Sequence, residues 1–309
     1  MGSEAPNLHS IYDCIIIGGG PAGLTCAIFI GRYRLRALVV DQGKPRNYAS
    51  HGVHGFLGQQ GIKPFELLRR GREEAESVGV EFMNCGASKV EKCGDTFEVT
   101  TDQGVARARR VVLAYGVRDI VPDVAEFETY YGGGIHHCPD CDGYEVTDKR
   151  VGVIGWGTRV AGLSLKLLQW TCDLTILTDG HEIDLSPEEL SKLAAEGIRI
   201  RTEKLASFSG QNGTLDGVNL EAGDRIDFDS IFFTIGVERS CLLAEDAGCE
   251  TKGDAPYIEV SDQKETSVQG VYAVGDLVPG SQLAITSAAE GAIAAIAINK
   301  SLLPPSRLV

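Results

Sequence analysis

Two cysteines three residues apart, Cys138 and Cys141, are the residues of this sequence whose types and spacing point most directly to chemistry. They lie in the stretch HHCPDCDG at 136–143. A Cys-x-x-Cys pair can close a small disulfide ring, and its exchange reactions depend on a lowered thiol pKa and on access. The same spacing forms half of a zinc site, but no second Cys-x-x-Cys and no suitable pair of histidines follows. The pattern therefore predicts a redox pair that needs an electron source nearby, and no metal site.

The composition restricts the partners and the setting of the protein. Nine cysteines scattered over 309 residues do not suit the disulfide framework of a small secreted protein. Acidic residues outnumber basic ones by 43 to 29, and the formal net charge of −14 argues against nucleic acid or an anionic membrane as a partner. Residues 1–10 carry no basic region, and no long apolar run follows them. The sequence thus predicts a cytoplasmic protein that binds a small organic cofactor or another protein, with no nucleic-acid and no membrane partner.

A nucleotide-binding pattern opens the chain. Residues 12–17 form an apolar strand that runs directly into GGGPAG at 18–23 and then into a helical segment at 24–33. In such a turn the glycines let the backbone approach a pyrophosphate, and the helix N-terminus faces the phosphates. The next strand ends at Asp41, at the spacing where a carboxylate accepts hydrogen bonds from a ribose diol. The motif assigns five positions of the turn to a dinucleotide: Gly18, Gly20, Pro21, Ala22 and Gly23.

The same arrangement recurs in the second half of the chain. A strand at 150–154 leads into GWG at 155–157, a helix follows, and a further strand at 174–177 precedes Asp179. This repeat predicts an α/β fold with two nested Rossmann-like domains. Between the two repeats, short alternating segments at 81–108 predict an antiparallel meander laid on the parallel sheet.

The C-terminal part of the sequence is expected to complete the first domain. A strand at 270–274 is followed by Gly275 and Asp276, and a helix is predicted at 282–298. A carboxylate at a strand end can hydrogen-bond a flavin ribityl chain, while the next helix presents its N-terminus to the electron-rich side of the flavin ring. The expected division is a cofactor-binding domain of residues 1–117 and 240–309 and an inserted domain, residues 118–239, that carries the cysteine pair.

The order and spacing of these motifs resemble the low-molecular-weight thioredoxin reductase family of FAD-dependent disulfide oxidoreductases. The motifs that carry the resemblance are GGGPAG at 18–23, AYG at 114–116, CPDCDG at 138–143, GWG at 155–157 and GD at 275–276. The resemblance implies bound FAD and a homodimer. It also implies that two electrons pass through the flavin to the cysteine pair and on to thioredoxin, a thioredoxin-like protein or a small disulfide.

The resemblance further implies roles for individual residues. Cys141 is expected to face the flavin, Cys138 to attack the substrate disulfide, and Asp142 to act as acid and base, unless Asp142 only forms or caps the turn. Asp140, between the cysteines, should raise the pKa of both thiols unless a positive group offsets its charge. The FAD contacts expected beside the glycine turn are Asp41, Gln42, Asn47, His54, Ala114, Gly116, Gly275, Asp276, Leu283 and Ala284, with a plain surface-loop position as the alternative for His54.

The second nucleotide site departs from the family pattern. Members that use NADPH carry Arg and His just after the strand that here ends at Leu177, where these cations meet the 2′-phosphate. Residues 178–196 instead contain six acids against the single lysine Lys192, so a phosphomonoester there faces repulsion. Val160 stands where a small residue normally lies and bulky Trp156 sits inside the turn, and both changes are expected to narrow the pyrophosphate groove.

Four interpretations of the electron flow fit this departure. The leading hypothesis is a thioredoxin-reductase-like flavoenzyme that does not use NADPH and takes electrons from reduced ferredoxin or another donor. The second keeps a pyridine nucleotide and binds NADH through Asp179. The third reverses the flow, so that a small dithiol is oxidised and oxygen takes up the electrons, although relatives of that kind tend to carry His where this chain has Asp142. The fourth is a flavin-binding scaffold with an idle cysteine pair.

Overall fold

The computed structural model describes residues 6, 8, 10–251 and 257–307. The chain forms two compact units. The first unit consists of Met1–Arg46, Phe56–Arg118 and Glu238–Val309, and the second unit consists of Asn47–Gly55 and Asp119–Val237. Residues 47–55 therefore group with the second unit, although the chain on both sides of them belongs to the first.

The strands and helices alternate along most of the chain. In chain order the strands are β1 (Ile11–Ile17), β2 (Ala37–Asp41), β3 (Glu81–Asn84), β4 (Ala87–Cys93), β5 (Thr96–Thr101), β6 (Gly104–Leu113), β7 (Val117–Ile120), β8 (Ile135–His136), β9 (Val151–Ile154), β10 (Leu174–Leu177), β11 (Arg199–Arg201), β12 (Leu205–Gln211), β13 (Thr214–Leu220), β14 (Arg225–Asp227), β15 (Ser230–Phe233), β16 (Gly236–Arg239) and β17 (Val271–Ala273). The helices are α1 (Pro21–Arg32), α2 (Pro64–Ser77), α3 (Phe127–Tyr130), α4 (Pro139–Asp142), α5 (Arg159–Leu167), α6 (Pro187–Ala195), α7 (Leu243–Asp246) and α8 (Ala284–Leu302), with 3-10 turns at Tyr144–Val146, Gly275–Leu277 and Pro305–Arg307. Within the described residues, no helix has both the length and the apolar composition that a membrane span requires.

A seven-stranded sheet organises the first unit. The strand order is β3-β2-β1-β6-β5-β4, and β17 also pairs with β6. The pairs are parallel except for β4 with β5 and β5 with β6. Strand β6 changes neighbours along its length, because its first half pairs with β5 and its last three residues pair with β17. The predicted antiparallel meander is therefore confined to β4–β6, and its expected first segment is wrong, since β3 pairs in parallel with β2.

Both faces of the central parallel strands are buried, as their continuous apolar sequence requires. Side chains alternate along β1, so Ile15 and Ile17 join one apolar cluster while Cys14 and Ile16 join another. The last residues of β1, β6 and β17 lie side by side. The turns that follow these strands consequently meet at one edge of the sheet, which is where ligands bind in open α/β folds.

The second unit has its own parallel sheet, in the order β11-β10-β9-β15-β8. A three-stranded antiparallel sheet, β12-β13-β14, follows β11 in sequence. Each unit thus has helices and a mainly parallel sheet built from β-α-β repeats. The predicted fold class, α/β with two nested Rossmann-like domains, is confirmed.

Helix α8 packs against α1 at very short range through a glycine. A Cβ atom at Gly291 would lie 2.1 Å from the carbonyl oxygen of Ala22 and 3.0 Å from the backbone nitrogen of Cys26. Real Cβ atoms do not approach backbone oxygen so closely, so Gly291 is the residue that lets the two helices meet. Because Ala22 lies in the first turn of α1, this contact also fixes the glycine-rich turn before it.

Replacing Gly291 with Ala tests this close approach. The added methyl group collides with the Ala22 carbonyl, so we expect the free energy of unfolding to fall by about 1–3 kcal/mol, measured by urea unfolding followed by circular dichroism. Gly162→Ala in α5 is the matched control, because a Cβ atom there meets no other atom within 4 Å. That variant should gain about 0.5–1 kcal/mol from helix propensity. Equal stability of the two variants would contradict the packing argument.

Candidate functional site

The glycine-rich turn after β1 is built around two close backbone approaches. A Cβ atom at Gly23 would lie 1.9 Å from the Gly18 carbonyl oxygen, and one at Gly18 would lie 2.4 Å from the Ala114 carbonyl oxygen. Gly18 also has a φ of 110°, a backbone conformation that favours glycine. Gly20 is extended with open space around its Cβ position, and Pro21 begins α1. The first-turn N–H groups of α1 have no helix carbonyl to bond, so this turn offers donors to an anion.

Asp41, at the end of β2, faces this turn. Its Oδ1 accepts a hydrogen bond from the Gly19 backbone N–H at 2.9 Å, and its Oδ2 accepts one from the Gly43 N–H at 3.1 Å. Each carboxylate oxygen keeps further acceptor capacity. The geometry is therefore compatible with the predicted role of Asp41 as an acceptor for ribose hydroxyls.

The turn after β17 is held by a partly buried network that sequence reasoning missed. The Gly275 N–H donates to Glu290 Oε2 at 2.7 Å. Arg46 Nη1 donates to Asp276 Oδ2 and to Gln282 Oε1, both at 2.8 Å. Arg46 lies 230 residues before Asp276, so no local pattern could have indicated the pair. The network orients the Asp276 carboxylate and balances its charge.

The start of α8 bears on two further predicted FAD contacts. The Leu283 N–H donates to Thr286 Oγ1 at 3.2 Å, and the Thr286 hydroxyl donates to the Ser281 carbonyl at 2.6 Å. The Leu283 carbonyl accepts the Ser287 N–H at 2.9 Å. The backbone of Leu283 is therefore engaged in the helix cap, and the donors of the α8 N-terminus begin at Ala284.

The AYG turn after β6 is anchored on both sides. The Ala114 N–H donates to the Ile17 carbonyl at 2.8 Å, and the Gly116 carbonyl accepts the Ser240 hydroxyl at 3.2 Å. Gly116 has a φ of 65°, which favours glycine. Burial raises the pKa of Tyr115. The turn thus lies firmly at the sheet edge where the other predicted FAD contacts of the first unit gather.

The other three predicted FAD contacts have different surroundings. The Gln42 side chain packs against Gly86, and its amide nitrogen would lie 2.4 Å from a Cβ atom added at Gly86. Asn47 and His54 belong to the segment that groups with the second unit. In that unit His54 Nδ1 lies 3.6 Å from Glu145 Oε1, three residues after Asp142. The structure therefore brings His54 close to the cysteine-containing stretch, a placement that loop length and composition alone did not indicate.

The stretch from Cys138 to Asp142, called the redox turn below, carries both cysteines. Cys138 stands immediately before the short helix α4, and Cys141 lies within it. Cys138 and Cys141 form a disulfide with a Cα–Cα distance of 5.3 Å. Cys138 is the residue before α4, Pro139 is its first residue, and the Cys138 carbonyl accepts the N–H groups of Cys141 and Asp142 at 3.2 and 3.1 Å. Proline suits the first helical position because its missing N–H is not needed there. A single helical turn thus keeps the two sulfurs within bonding reach.

A positive group does offset Asp140, the acid between the two cysteines. Lys166 Nζ in α5 lies 2.5 Å from Asp140 Oδ2. Both side chains are about half exposed, so solvent screens the pair and its contribution to stability is small. Its effect on the thiols is more direct, because a cation beside the turn favours thiolate while an unpaired carboxylate disfavours it.

Asp142 is the acid of the turn that titrates near neutral pH. Burial raises the pKa of its carboxyl to about 6, with His54 acting against the rise and Glu145 adding to it. His136 Nδ1 lies 3.6 Å from Asp142 Oδ2. Burial, reinforced by His137, lowers the pKa of His136 to about 4, so His136 is neutral at pH 7. The pair is therefore a neutral imidazole beside a carboxyl group that can take up and release a proton.

Two aromatic side chains stack beside the second glycine turn. The rings of Trp156, inside the turn, and His181, after β10, stack with centroids 3.8 Å apart and planes 16° apart. The Trp156 carbonyl also accepts the Asp184 N–H at 2.7 Å. Beneath the turn, Val160 Cγ2 lies 3.2 Å from the Cβ position of Gly155. The stack lies at the carboxyl ends of β9 and β10, the side of the sheet where this fold holds an adenosine ribose.

Asp179 occupies the place in the second unit that Asp41 occupies in the first, but it makes different bonds. Its φ is 52° and it is 5% exposed. Its Oδ1 accepts the Leu205 N–H at 2.9 Å, and Lys204 Nζ lies 3.2 Å from the same oxygen. The carboxylate therefore points to β12 and a lysine, whereas Asp41 points to its glycine turn.

Comparison with known proteins assigns the family. The family model for pyridine nucleotide-disulphide oxidoreductases matches residues 12–291. The chain belongs to this family. A thioredoxin reductase of Treponema pallidum is 29% identical over 313 residues, with 93% of this chain and 96% of that protein covered. This family member is an FAD-dependent disulfide oxidoreductase related to thioredoxin reductases.

Solved structures of similar proteins cover nearly the whole oxidoreductase chain. The putative thioredoxin reductase TrxB from Bacillus anthracis is 30% identical with a TM-score of 0.87, covering 94% of this chain and 98% of that one. The structure of HlmI is 33% identical with a TM-score of 0.90, covering 97% and 95%. Both likenesses extend over both Rossmann-like units.

The residues of the first unit fit FAD. Open space at Gly20 and the first-turn donors of α1 suit a diphosphate. Asp41 has acceptor capacity for ribose hydroxyls, and Asp276 is an oriented carboxylate at a strand end that suits a ribityl chain. The chemistry of the donors and acceptors is thus that of a dinucleotide site, and the individual contacts stay predictions.

Substituting Lys166 tests the charge balance of the redox turn. In Lys166→Gln the Asp140 carboxylate loses its cation, the thiol pKa rises, and alkylation of the reduced pair by iodoacetamide at pH 7 should slow about two- to five-fold. The measurement is mass spectrometry of the peptide that contains both cysteines. Lys166→Arg should preserve the rate, and so should Lys192→Gln, which removes an exposed lysine that pairs with Glu188 in α6. An unchanged or faster rate in Lys166→Gln would show that the ion pair has no effect on the thiols.

Proposed function

We propose that this oxidoreductase is thioredoxin-reductase-like, with electrons passing between FAD and the Cys138–Cys141 pair and on to thioredoxin or a similar disulfide, and with a donor other than NADPH. The observation that carries the proposal is a disulfide on a short helical turn beside Asp142, whose pKa is raised to about 6. Bound FAD supplies a carrier that exchanges two electrons with such a pair.

The substrate step is a double thiol–disulfide exchange. The Cys138 thiolate attacks one sulfur of the substrate, the substrate S–S bond breaks, and the released thiolate takes up a proton. The Cys141 thiolate then attacks Cys138 Sγ, which restores the internal disulfide and releases the second substrate thiol. The two protons lost by the cysteine thiols end on the substrate, and Asp142 transfers a proton between them because it lies on the same turn.

The side chains around the second glycine turn support a donor other than NADPH. The Trp156–His181 stack lies on the side of the turn on which an adenosine would lie. Lys204 is a cation at this end of β10 that the sequence analysis overlooked, but Asp179 neutralises it. A 2′-phosphate would therefore meet an aromatic stack and a surplus of carboxylates. Reduced ferredoxin is the alternative donor that the proposal favours.

The structure also bears on the alternative in which NADH is the electron donor, because Asp179 is the expected ligand of the NADH ribose. Asp179 is buried, and its carboxylate already accepts the Leu205 N–H and pairs with Lys204. Its burial and its pairing with Lys204 restrict the access of a ribose diol to this carboxylate. The thioredoxin-like partner and the homodimer stay predictions, and so does the direction of electron flow.

Anaerobic mixing with candidate donors tests the proposal. We expect the flavin absorbance band to stay oxidised with excess NADPH or NADH, and to bleach with reduced ferredoxin and with dithiothreitol. A Cys138→Ser/Cys141→Ser variant should lose the dithiothreitol response, because the dithiol acts through the pair. Rapid bleaching by NADPH would overturn the donor assignment.

Two further outcomes of this experiment support the alternatives. Bleaching by NADH that disappears in Asp179→Arg would establish an NADH-dependent reductase. Hydrogen peroxide released during aerobic turnover of a small dithiol would establish the reversed flow.

A further inference from the structure

The segment at 47–55, which the sequence places after β2, is fastened to the second unit by two glycines. A Cβ atom at Gly132 would lie 2.0 Å from the Ala49 carbonyl oxygen, and one at Gly133 would lie 2.6 Å from the His51 ring. A larger residue at Gly132 would push the segment away, because the close atoms there are backbone, whereas the His51 ring beside Gly133 could turn aside. The bare backbone before β8 therefore lets the segment run along the redox turn.

The end of this segment brings an imidazole to the acidic side of the redox turn. His54 Nδ1 lies 3.6 Å from Glu145 Oε1 in the 3-10 turn after α4, and His136 Nδ1 lies 3.6 Å from Asp142 Oδ2. The side chains of His54 and Asp142 are partly buried, at 23% and 18% exposure, whereas Glu145 is exposed at 37%, so solvent screens its contact more strongly. Two acid–imidazole contacts thus lie at the C-terminal end of α4, and electrostatic interactions at this depth are screened less than at the surface.

We propose that His54 is a positioning residue for thiol–disulfide exchange, which together with Glu145 sets the pH at which Asp142 gains and loses its proton. The inference rests on the proposed function for the reaction it serves. The charge arrangement itself does not depend on the electron donor or on the substrate.

The sign of each contribution follows from the charges around Asp142. An imidazolium at His54 favours the ionised carboxylate, whereas the Glu145 carboxylate disfavours it. His136 is neutral at pH 7 and so adds no full charge. Of the titratable and charged groups around this pair, His54 and Glu145 act on Asp142. The groups that act on His136 are His51, His54, His137 and Lys149.

Direct titration of Asp142 in the oxidised holoenzyme tests the proposal without any turnover. Infrared difference spectra between pH 4 and pH 8 report the protonated carboxyl band, and Asp142→Asn identifies which band belongs to Asp142. His54→Gln should move the midpoint up by about 0.5–1 pH unit, and Glu145→Gln should move it down by a similar amount. His51→Gln, in the same segment, is the matched control and should leave the midpoint in place.

The same variants in exchange kinetics separate this inference from the proposed function. The reduced wild-type pair should react with a disulfide at a rate that rises with pH around pH 6, as Asp142 ionises. In Asp142→Asn this rise should disappear and the rate should fall at least about 100-fold. The rise should occur at higher pH in His54→Gln and at lower pH in Glu145→Gln. If wild type fails to react, the proposed function fails while the infrared midpoints still decide the role of His54. Midpoints that stay unchanged, or that move in the same direction in both variants, would overturn the inference.

Discussion

The helical turn that joins Cys138 to Cys141 sets the geometry that the redox chemistry requires. Two thiols exchange electrons as a pair only if their sulfurs can bond without a large backbone movement, and a one-turn helix with Cα atoms 5.3 Å apart meets that condition. A turn so short cannot supply its own electrostatic environment. Lys166 from α5, Glu145 from the following 3-10 turn and His54 from a distant segment supply it.

The two Rossmann-like units share a glycine turn and an acid at the end of the following strand, but the side chains around the two turns differ. In the first, Asp41 bonds to its glycine turn and the turn stays open at Gly20. In the second, the corresponding acid Asp179 bonds elsewhere, and Trp156 stacks on His181. The fold of a dinucleotide site is thus kept in both units, while the side chains of the second favour a closed crevice. The shared fold therefore indicates a common origin of the two units, and only the side chains of each unit indicate its function.

The local parts of this site could be predicted from the sequence, because their geometry is set within a few residues. The glycine turn, the acid that ends β2 and the spacing of the cysteines are of this kind. The pairing of β3 was predicted wrongly, since a short alternating segment does not reveal whether its partner lies in a hairpin or in a distant strand. Arg46 and its partner Asp276 were missed for the same reason, as was the approach of His54 to the redox turn, because their partners are far away in the sequence.

The proposed chemistry requires the cysteine pair and FAD to share electrons within one chain. An anaerobic dithionite titration that follows the flavin absorbance and counts reducing equivalents tests it directly. We expect the wild-type holoenzyme to take up two electrons per chain for the disulfide beyond the two required by FAD, and the variant with both cysteines replaced by serine to take up only the two for FAD. Equal uptake by the two proteins would show that the pair and FAD do not share electrons.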